Sequence, residues 1–162
     1  MLKNLLKPIL FFIPLALIQL TLIPLISIGS IAPNLVFVLI AYFTLINGQS
    51  FGTILGFILG FLLDLASGGL IGAFMFSFTI SAFVVGYFSN ENKIEVNTKT
   101  FFFLIIVFIC GSINAFIYAL ISNLNTNVSL FILIFQEGLF PGLYTAFFGF
   151  SVIIFAPKKG MI

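Results

Sequence analysis

Long apolar stretches alternate with short polar or glycine- and proline-containing segments along the chain. An apolar stretch of about 20 residues is long enough to cross the hydrocarbon core of a membrane as a helix. The pattern predicts six transmembrane helices within a single transmembrane domain, residues 1–162, and their approximate ranges are 8–29, 33–47, 51–66, 70–88, 100–122 and 129–155. The second and third are short, reaching only ~24 Å at 1.5 Å per residue, so we expect them to extend into their turns or to lie deep in the bundle.

The connections between the predicted helices are short, and only the fourth, SNENKIEVNTK, contains charged residues. Short connections make consecutive helices antiparallel neighbours. They also leave no room for a soluble catalytic domain between helices. We therefore expect an all-α integral membrane protein, built as a six-helix bundle.

The composition and the charges agree with a multi-pass membrane protein. Hydrophobic residues make up 62% of the chain, and Phe alone occurs 24 times. Because cytoplasmic segments of membrane proteins carry an excess of Lys and Arg, the lysines indicate the orientation. They occur in the N-terminal tail (Lys3, Lys7), in the fourth connection (Lys93, Lys99) and in the C-terminal tail (Lys158, Lys159). Six helices place all three segments on one side, which predicts that both termini are cytoplasmic.

Several function classes do not fit this sequence. The net charge is only +2 and the longest basic run is Lys158-Lys159, so nothing indicates nucleic-acid binding. The chain has no His, which excludes Ser-His-Asp and Cys-His catalysis, and it has no phosphate-binding glycine loop with Lys. The single Cys110 and two intramembrane acids do not form a convincing metal site. We expect no catalytic residue, no metal ligand and no cofactor.

Two rows of small residues lie at helical spacing. One row consists of Gly52, Gly56 and Gly60 on the third predicted helix, and the other of Gly138, Gly142 and Ala146 on the sixth. Small residues let helices approach closely, so the rows predict packing or partner interfaces, with the third and sixth helices as neighbours. The alternative interpretation is that glycine is simply common in membrane helices.

Four polar side chains lie inside predicted helices: Gln19, Asp64, Asn114 and Glu137. Counted from the helix ends, they fall in one layer in the outer half of the membrane. An isolated charge in hydrocarbon costs at least ~2.5 kcal/mol, so the two carboxylates should face the interior of the bundle or a wet cavity.

Asp64 and Glu137 have different alternatives. Asp64 precedes a short turn, where it either caps the following helix or serves a ligand or partner. Glu137 lies two turns inside the sixth predicted helix, just before Pro141, which is expected to kink that helix. A carboxylate beside a kink is a candidate for a functional contact.

The segment from about residue 31 to 88 resembles the rod shape-determining protein MreD family. The points of similarity are Pro33-Asn34-Leu35, the face Gly56-Phe57-x-x-Gly60, Asp64 two turns after Gly56, and the turn from Gly68 to Gly72. Length and helix number agree as well. The family commonly has Asp or a similar polar residue after the proline, so Asn34 is a small departure. The last two helices agree in hydropathy only.

The resemblance implies a non-enzymatic scaffold subunit of the bacterial cell-elongation machinery in the cytoplasmic membrane. Its implied partner is the single-span protein MreC and, through it, the actin-like MreB and the peptidoglycan synthases. On this interpretation the glycine rows and the polar residues, including Asn34, Gly68, Gly72 and Asn114, are structural or partner-binding.

The alternative is a substrate-capturing subunit of an energy-coupling-factor vitamin transporter, which the predicted fold also resembles. Such subunits bind their ligand from the outer side, where the polar layer is predicted. However, the predicted outer connections GSIAPN, SGG and SNLNTNV contain no charged residue, Trp or Tyr that could hold a vitamin.

Overall fold

A computed structural model of the protein describes residues 2–29, 31–90, 94, 98, 100–124 and 128–155. The elements are α1 (Leu2–Thr21), α2 (Ile23–Ile26), α3 (Leu35–Asn47), α4 (Gln49–Ser67), α5 (Ala73–Gly86), α6 (Phe101–Ser122), α7 (Leu130–Ile134), a π turn (Phe135–Leu139) and α8 (Phe140–Phe155). Among these residues the only β-type pairing is an isolated bridge between Ile28 and Ile31. The prediction of an all-α protein is therefore confirmed.

The helices differ in whether they are long enough to cross a membrane. Within the described part of the chain, three helical segments are long and apolar enough: Gln49–Ser67, Phe101–Ser122 and Leu130–Phe150. Leu5–Thr21, Leu35–Asn47 and Ala73–Gly86 are shorter apolar helices. Six membrane crossings therefore stay a prediction.

The first predicted helix, 8–29, differs from the structure at both ends. α1 already begins at Leu2 and ends at Thr21, and the short helix α2 follows after Leu22. Pro24 accounts for the break, because it has no N–H to continue the hydrogen bonding of α1 and its fixed φ suits the first turn of a new helix.

Large apolar side chains from the central helices form the core. Phe37 of α3, Leu59 of α4, Phe78 of α5 and Phe103 of α6 are all fully buried. Large apolar side chains also cover much of the outer surface, as expected for a protein whose surroundings are lipid. The helices are therefore held together by close packing and hydrogen bonds.

The first glycine row lies in the closest helix contacts of the fold. A Cβ atom on Gly56 would stand 2.7 Å from the carbonyl oxygen of Phe78, and one on Gly60 would stand 2.5 Å from Cα of Met75. A Cβ atom on Gly52 would overlap the side chain of Thr44 in α3. This row therefore packs against α5 and α3.

The second row packs against α6. A Cβ atom on Gly142 would stand 2.8 Å from the backbone nitrogen of Ser112, and one on Gly138 would stand 3.3 Å from Cβ of Phe116. The prediction that the two rows make the third and sixth helices neighbours is therefore wrong. Each row is occupied by a helix adjacent to it in the chain, since short connections bring consecutive helices together first.

Candidate functional site

The carboxylate of Asp64 accepts three backbone hydrogen bonds at the start of α5. Its Oδ2 atom accepts from the N–H groups of Gly72 at 2.9 Å and Met75 at 3.0 Å, and Oδ1 accepts from that of Phe74 at 3.0 Å. Only 1% of Asp64 is exposed. The first amides of a helix have no partner inside the helix, and a negative charge is favourable at that end. Asp64 is therefore a cap supplied by the preceding helix.

Two glycines allow the chain to reverse so tightly that Asp64 reaches α5. Gly68 ends α4 with φ +66°, and Gly72 precedes α5 with φ +104°. Both values lie in the left-handed region, which glycine adopts without the steric cost that a Cβ atom brings. The turn brings Asp64, one helical turn before the end of α4, level with the first amides of α5.

These contacts agree with the interpretation of Asp64 as a helix cap. Both carboxylate oxygens are engaged, and the side chain is enclosed by α4 and α5. A partner could therefore contact this carboxylate only by displacing the turn between the two helices.

A second polar cluster lies at the start of α3. The Oδ1 atom of Asn34 accepts from the backbone N–H of Phe37 at 3.0 Å, which makes Asn34 the N-cap of the helix. The backbone N–H of Asn34 donates to Oγ1 of Thr145 at 2.9 Å, and that hydroxyl donates to the carbonyl of Pro141 at 2.7 Å. Thr145 thus connects α8 to the start of α3.

The side chain of Gln19 holds the same segment from α1. Its Nε2 atom donates to the carbonyl of Pro33 at 3.0 Å, and its Oε1 atom accepts from the backbone N–H of Leu35 at 2.9 Å. One carboxamide therefore satisfies a donor and an acceptor on either side of Asn34. The Pro33-Asn34-Leu35 segment is in this way fastened to both α1 and α8.

The side chains of Asn114 and Glu137 accept no backbone N–H at a helix start among the described residues. Asn114 of α6 is 2% exposed, and its Oδ1 atom accepts no hydrogen bond from the described residues. Glu137 is half-buried in the π turn and has no hydrogen bond or ion pair within the described part of the chain. The four polar residues of the predicted layer therefore do not form one cluster.

The π turn lies where Pro141 is predicted to kink the last helix. Phe140 donates its N–H to the carbonyl of Phe135, five residues earlier. In a regular α-helix, Pro141 could not donate to the carbonyl of Glu137, and its ring would clash with that carbonyl. The wider turn changes the position of this carbonyl relative to the ring. Turns of this kind occur frequently at functional sites.

Some contacts that hold the helices have no signal in the sequence. Thr145 could be expected only to bond the carbonyl four residues earlier, as Thr commonly does in membrane helices. Nothing in the sequence indicates its contact with Asn34. The same holds for the hydroxyl of Tyr144, which donates to the carbonyl of Ile26 at 3.0 Å, and for the stacking of Phe74 on Tyr118 at 4.3 Å between centroids.

The described residues offer little for chemistry on a bound group. They contain no group of three or more His, Cys, Asp and Glu side chains that could hold a metal ion. Cys110 is buried in α6. The polar contacts of Gln19, Asn34 and Asp64 are made to backbone groups at helix starts, where they position helices relative to each other.

The family model of the rod shape-determining protein MreD matches residues 1–158 of the chain. The chain belongs to the MreD family. Searches of curated proteins and of solved structures find no match. The match confirms the resemblance and extends it from the segment around Asp64 to the last helices. Together with the apolar helices, it makes this MreD-family protein a rod shape-determining membrane protein.

Proposed function

We propose that this protein is a non-enzymatic scaffold subunit of the cell-elongation machinery in the bacterial cytoplasmic membrane. It pairs with a single-span MreC-like protein and, through it, helps to organise an MreB-like actin homologue and the peptidoglycan synthases. The observation that carries the proposal is the match of the MreD family model to residues 1–158.

The geometry of the polar residues supports a positioning role. Gln19, Asn34 and Asp64 use their side-chain oxygens to accept backbone N–H groups at helix starts. A buried polar group whose bonds are all made holds one arrangement of the helices, since any shift leaves a donor or acceptor unpaired in a low-dielectric interior. Such a bundle presents a fixed surface to other membrane proteins.

The packing of the glycines limits where a partner helix can lie. Gly52, Gly56 and Gly60 face α3 and α5, and Gly138 and Gly142 face α6. A partner helix on either row would have to replace a helix of this chain. We therefore propose that the rows hold the subunit together and that partners contact its lipid-facing surface.

Co-purification from detergent tests the proposed function. The tagged protein, expressed together with the MreC-like protein of the same genome, is expected to recover that protein in a constant ratio. An unrelated single-span protein expressed at the same level serves as the control. Equal recovery of both would contradict the proposal, whereas a tightly bound vitamin without the MreC-like protein would support the transporter alternative.

A cellular test addresses the shape role directly. Expression of the protein is expected to restore rod shape to cells that lack their own MreD-family protein, provided that its partners come from the same genome. Round cells with normal amounts of the protein in the membrane would speak against the proposal.

A further inference from the structure

Two polar side chains in the interior of the bundle have no hydrogen-bond partner there. Ser81 of α5 is 0% exposed and Asn114 of α6 is 2% exposed. Neither Oγ of Ser81 nor Oδ1 of Asn114 has a partner among the described residues. Buried polar atoms in proteins are nearly always hydrogen-bonded, because burial removes their bonds to bulk water. The packing of the helices alone therefore does not account for these two atoms.

Both side chains lie on the faces by which α5 and α6 contact each other. The rings of Phe74 and Tyr118 stack at 4.3 Å between centroids, which places the start of α5 beside the end of α6. Ser81 lies seven residues after Phe74, on the same face of α5. Asn114 lies four residues before Tyr118, on the same face of α6. The two unpaired groups are therefore on facing sides of an antiparallel helix pair.

The glycine rows contact different faces of these two helices. A Cβ atom on Gly56 of α4 would stand 3.2 Å from Cβ of Ala82, the residue after Ser81. A Cβ atom on Gly142 of α8 would stand 2.8 Å from the backbone nitrogen of Ser112. Helices α4 and α8 thus pack beside the contact between α5 and α6 and leave it to the side chains of those two helices.

The offset along the helices places Asn114 between two hydroxyl groups. At 1.5 Å per residue, Ser77 lies about 4.5 Å and Ser81 about 10.5 Å from the level of Phe74, whereas Asn114 lies about 6 Å from the level of Tyr118. Ser77 is fully buried, and its hydroxyl donates to the carbonyl of Phe74 at 3.2 Å, so its oxygen can still accept. We call Ser77, Ser81 and Asn114 the polar seam.

We propose that the polar seam binds one internal water molecule, which joins α5 to α6. The water donates to Oδ1 of Asn114 and to Oγ of Ser77, and it accepts the hydrogen of the Ser81 hydroxyl. Three hydrogen bonds are the usual number for a buried water, and all of them go to groups that have this capacity left. The inference does not rest on the proposed function, since it needs no partner protein.

The separation of the two helices favours a water over a direct bond. Ser81 and Asn114 differ in level by about 4.5 Å at 1.5 Å per residue. Two consecutive hydrogen bonds of about 2.8 Å span such a distance, whereas one does not. Sliding α5 along α6 to close it would separate the stacked rings of Phe74 and Tyr118. A water molecule satisfies both groups with the helices where they are.

A crystal structure that resolves ordered water tests the site directly. We expect one water within about 3.2 Å of both Oδ1 of Asn114 and Oγ of Ser81. A direct hydrogen bond between these two side chains overturns the proposal. So does a seam without water, or a water bonded to only one of the two helices.

A double-mutant cycle tests in solution whether the two helices share the site. Ser81→Ala and Asn114→Leu each leave the other side chain with fewer bonds, so each is expected to lower the melting temperature by at least about 2 °C. The double variant has no such group left unpaired and should melt no lower than the weaker single variant. Additive shifts, or single variants that melt with the unmodified protein, overturn the shared site.

Thr79→Val is the matched control for the cycle. The hydroxyl of Thr79 is also on α5, but it donates to the carbonyl of Met75 within its own helix. Its shift in melting temperature should therefore add to that of Asn114→Leu. All these measurements are made on the protein without a partner. Failure of the polar seam would leave the proposed function standing, and failure to recover the MreC-like protein would leave the seam standing.

Discussion

The backbone N–H of Asn34 donates a 2.9 Å hydrogen bond to the hydroxyl of Thr145, 111 positions further along the chain. Asn34 is the N-cap of α3, and Thr145 lies in α8, so this bond sets where α3 begins relative to the last helix. The same hydroxyl donates a hydrogen bond to the carbonyl of Pro141. Thr145 therefore acts as acceptor and donor at once, in a buried position where water cannot replace it.

Replacing Thr145 with Val tests this connection, because Val has the same shape without the hydroxyl. An unpaired buried N–H costs about 1–3 kcal/mol, so Thr145→Val is expected to lower the free energy of unfolding by that amount. The measurement is denaturant unfolding in mixed micelles.

Two control variants accompany Thr145→Val. Thr145→Ser keeps the hydroxyl and should lose less than half as much stability. Thr79→Val removes a hydroxyl that donates only to the carbonyl of Met75, within its own helix. If Thr79→Val and Thr145→Val lose the same stability, the contact with Asn34 contributes nothing beyond its local bond.

The Asp64 cap predicts a graded loss of stability. In Asp64→Asn one carboxylate oxygen becomes an NH₂ group, which cannot accept a hydrogen bond. That NH₂ group would face at least one backbone N–H at the start of α5. We expect this variant to lose about 1–3 kcal/mol of unfolding free energy, and Asp64→Ala to lose at least as much. Ser67→Ala is the control, because the exposed Ser67 hydroxyl contacts only nearby turn atoms. Unchanged stability in Asp64→Ala would exclude the cap as a structural element.

The α4–α5 contact predicts that even one methyl group is too large at Gly60. Its added Cβ atom would stand 2.5 Å from Cα of Met75, and backbone atoms cannot rotate away. Gly60→Ala is therefore expected to destabilise the protein by about 1–3 kcal/mol through overpacking.

A matched control for this substitution lies in the following turn. A Cβ atom on Gly69 would meet only the hydroxyl oxygen of Ser67, at 3.6 Å, so Gly69→Ala should change the stability by less than about 0.5 kcal/mol. Both variants are measured without any partner protein. Equal melting temperatures for the two would show that the close approach of α4 and α5 is not required.

Local features of this fold could be predicted from the sequence, and their physical basis is short-range. Hydropathy locates the helices because lipid-facing and core positions are both apolar. The cap formed by Asp64 follows from its place before a glycine turn, where the free amides of the next helix lie within reach. Gly68 and Gly72 have the left-handed backbone that such a turn requires.

Long-range relationships could not be predicted in the same way. A glycine row shows that some helix approaches closely but not which one, and for this reason the pairing of the third and sixth helices was wrong. The contact of Asn34 with Thr145 depends on the vertical offset between helices, which no spacing in the sequence encodes. The π turn depends on how the last helix accommodates Pro141 while Gly138 stays against Phe116.

The predicted orientation of the membrane domain can be tested by cysteine labelling. The single Cys110 is buried and should not react, so the unmodified protein gives no background. With six membrane crossings, Gly69→Cys lies on the outer side, and a membrane-impermeant maleimide should label it in cells with an intact cytoplasmic membrane. Asn97→Cys, in the fourth connection, should be labelled only after the membrane is opened. Labelling of both positions in intact cells would mean an even number of crossings between them, so the predicted six-crossing topology, with both termini in the cytoplasm, would be wrong.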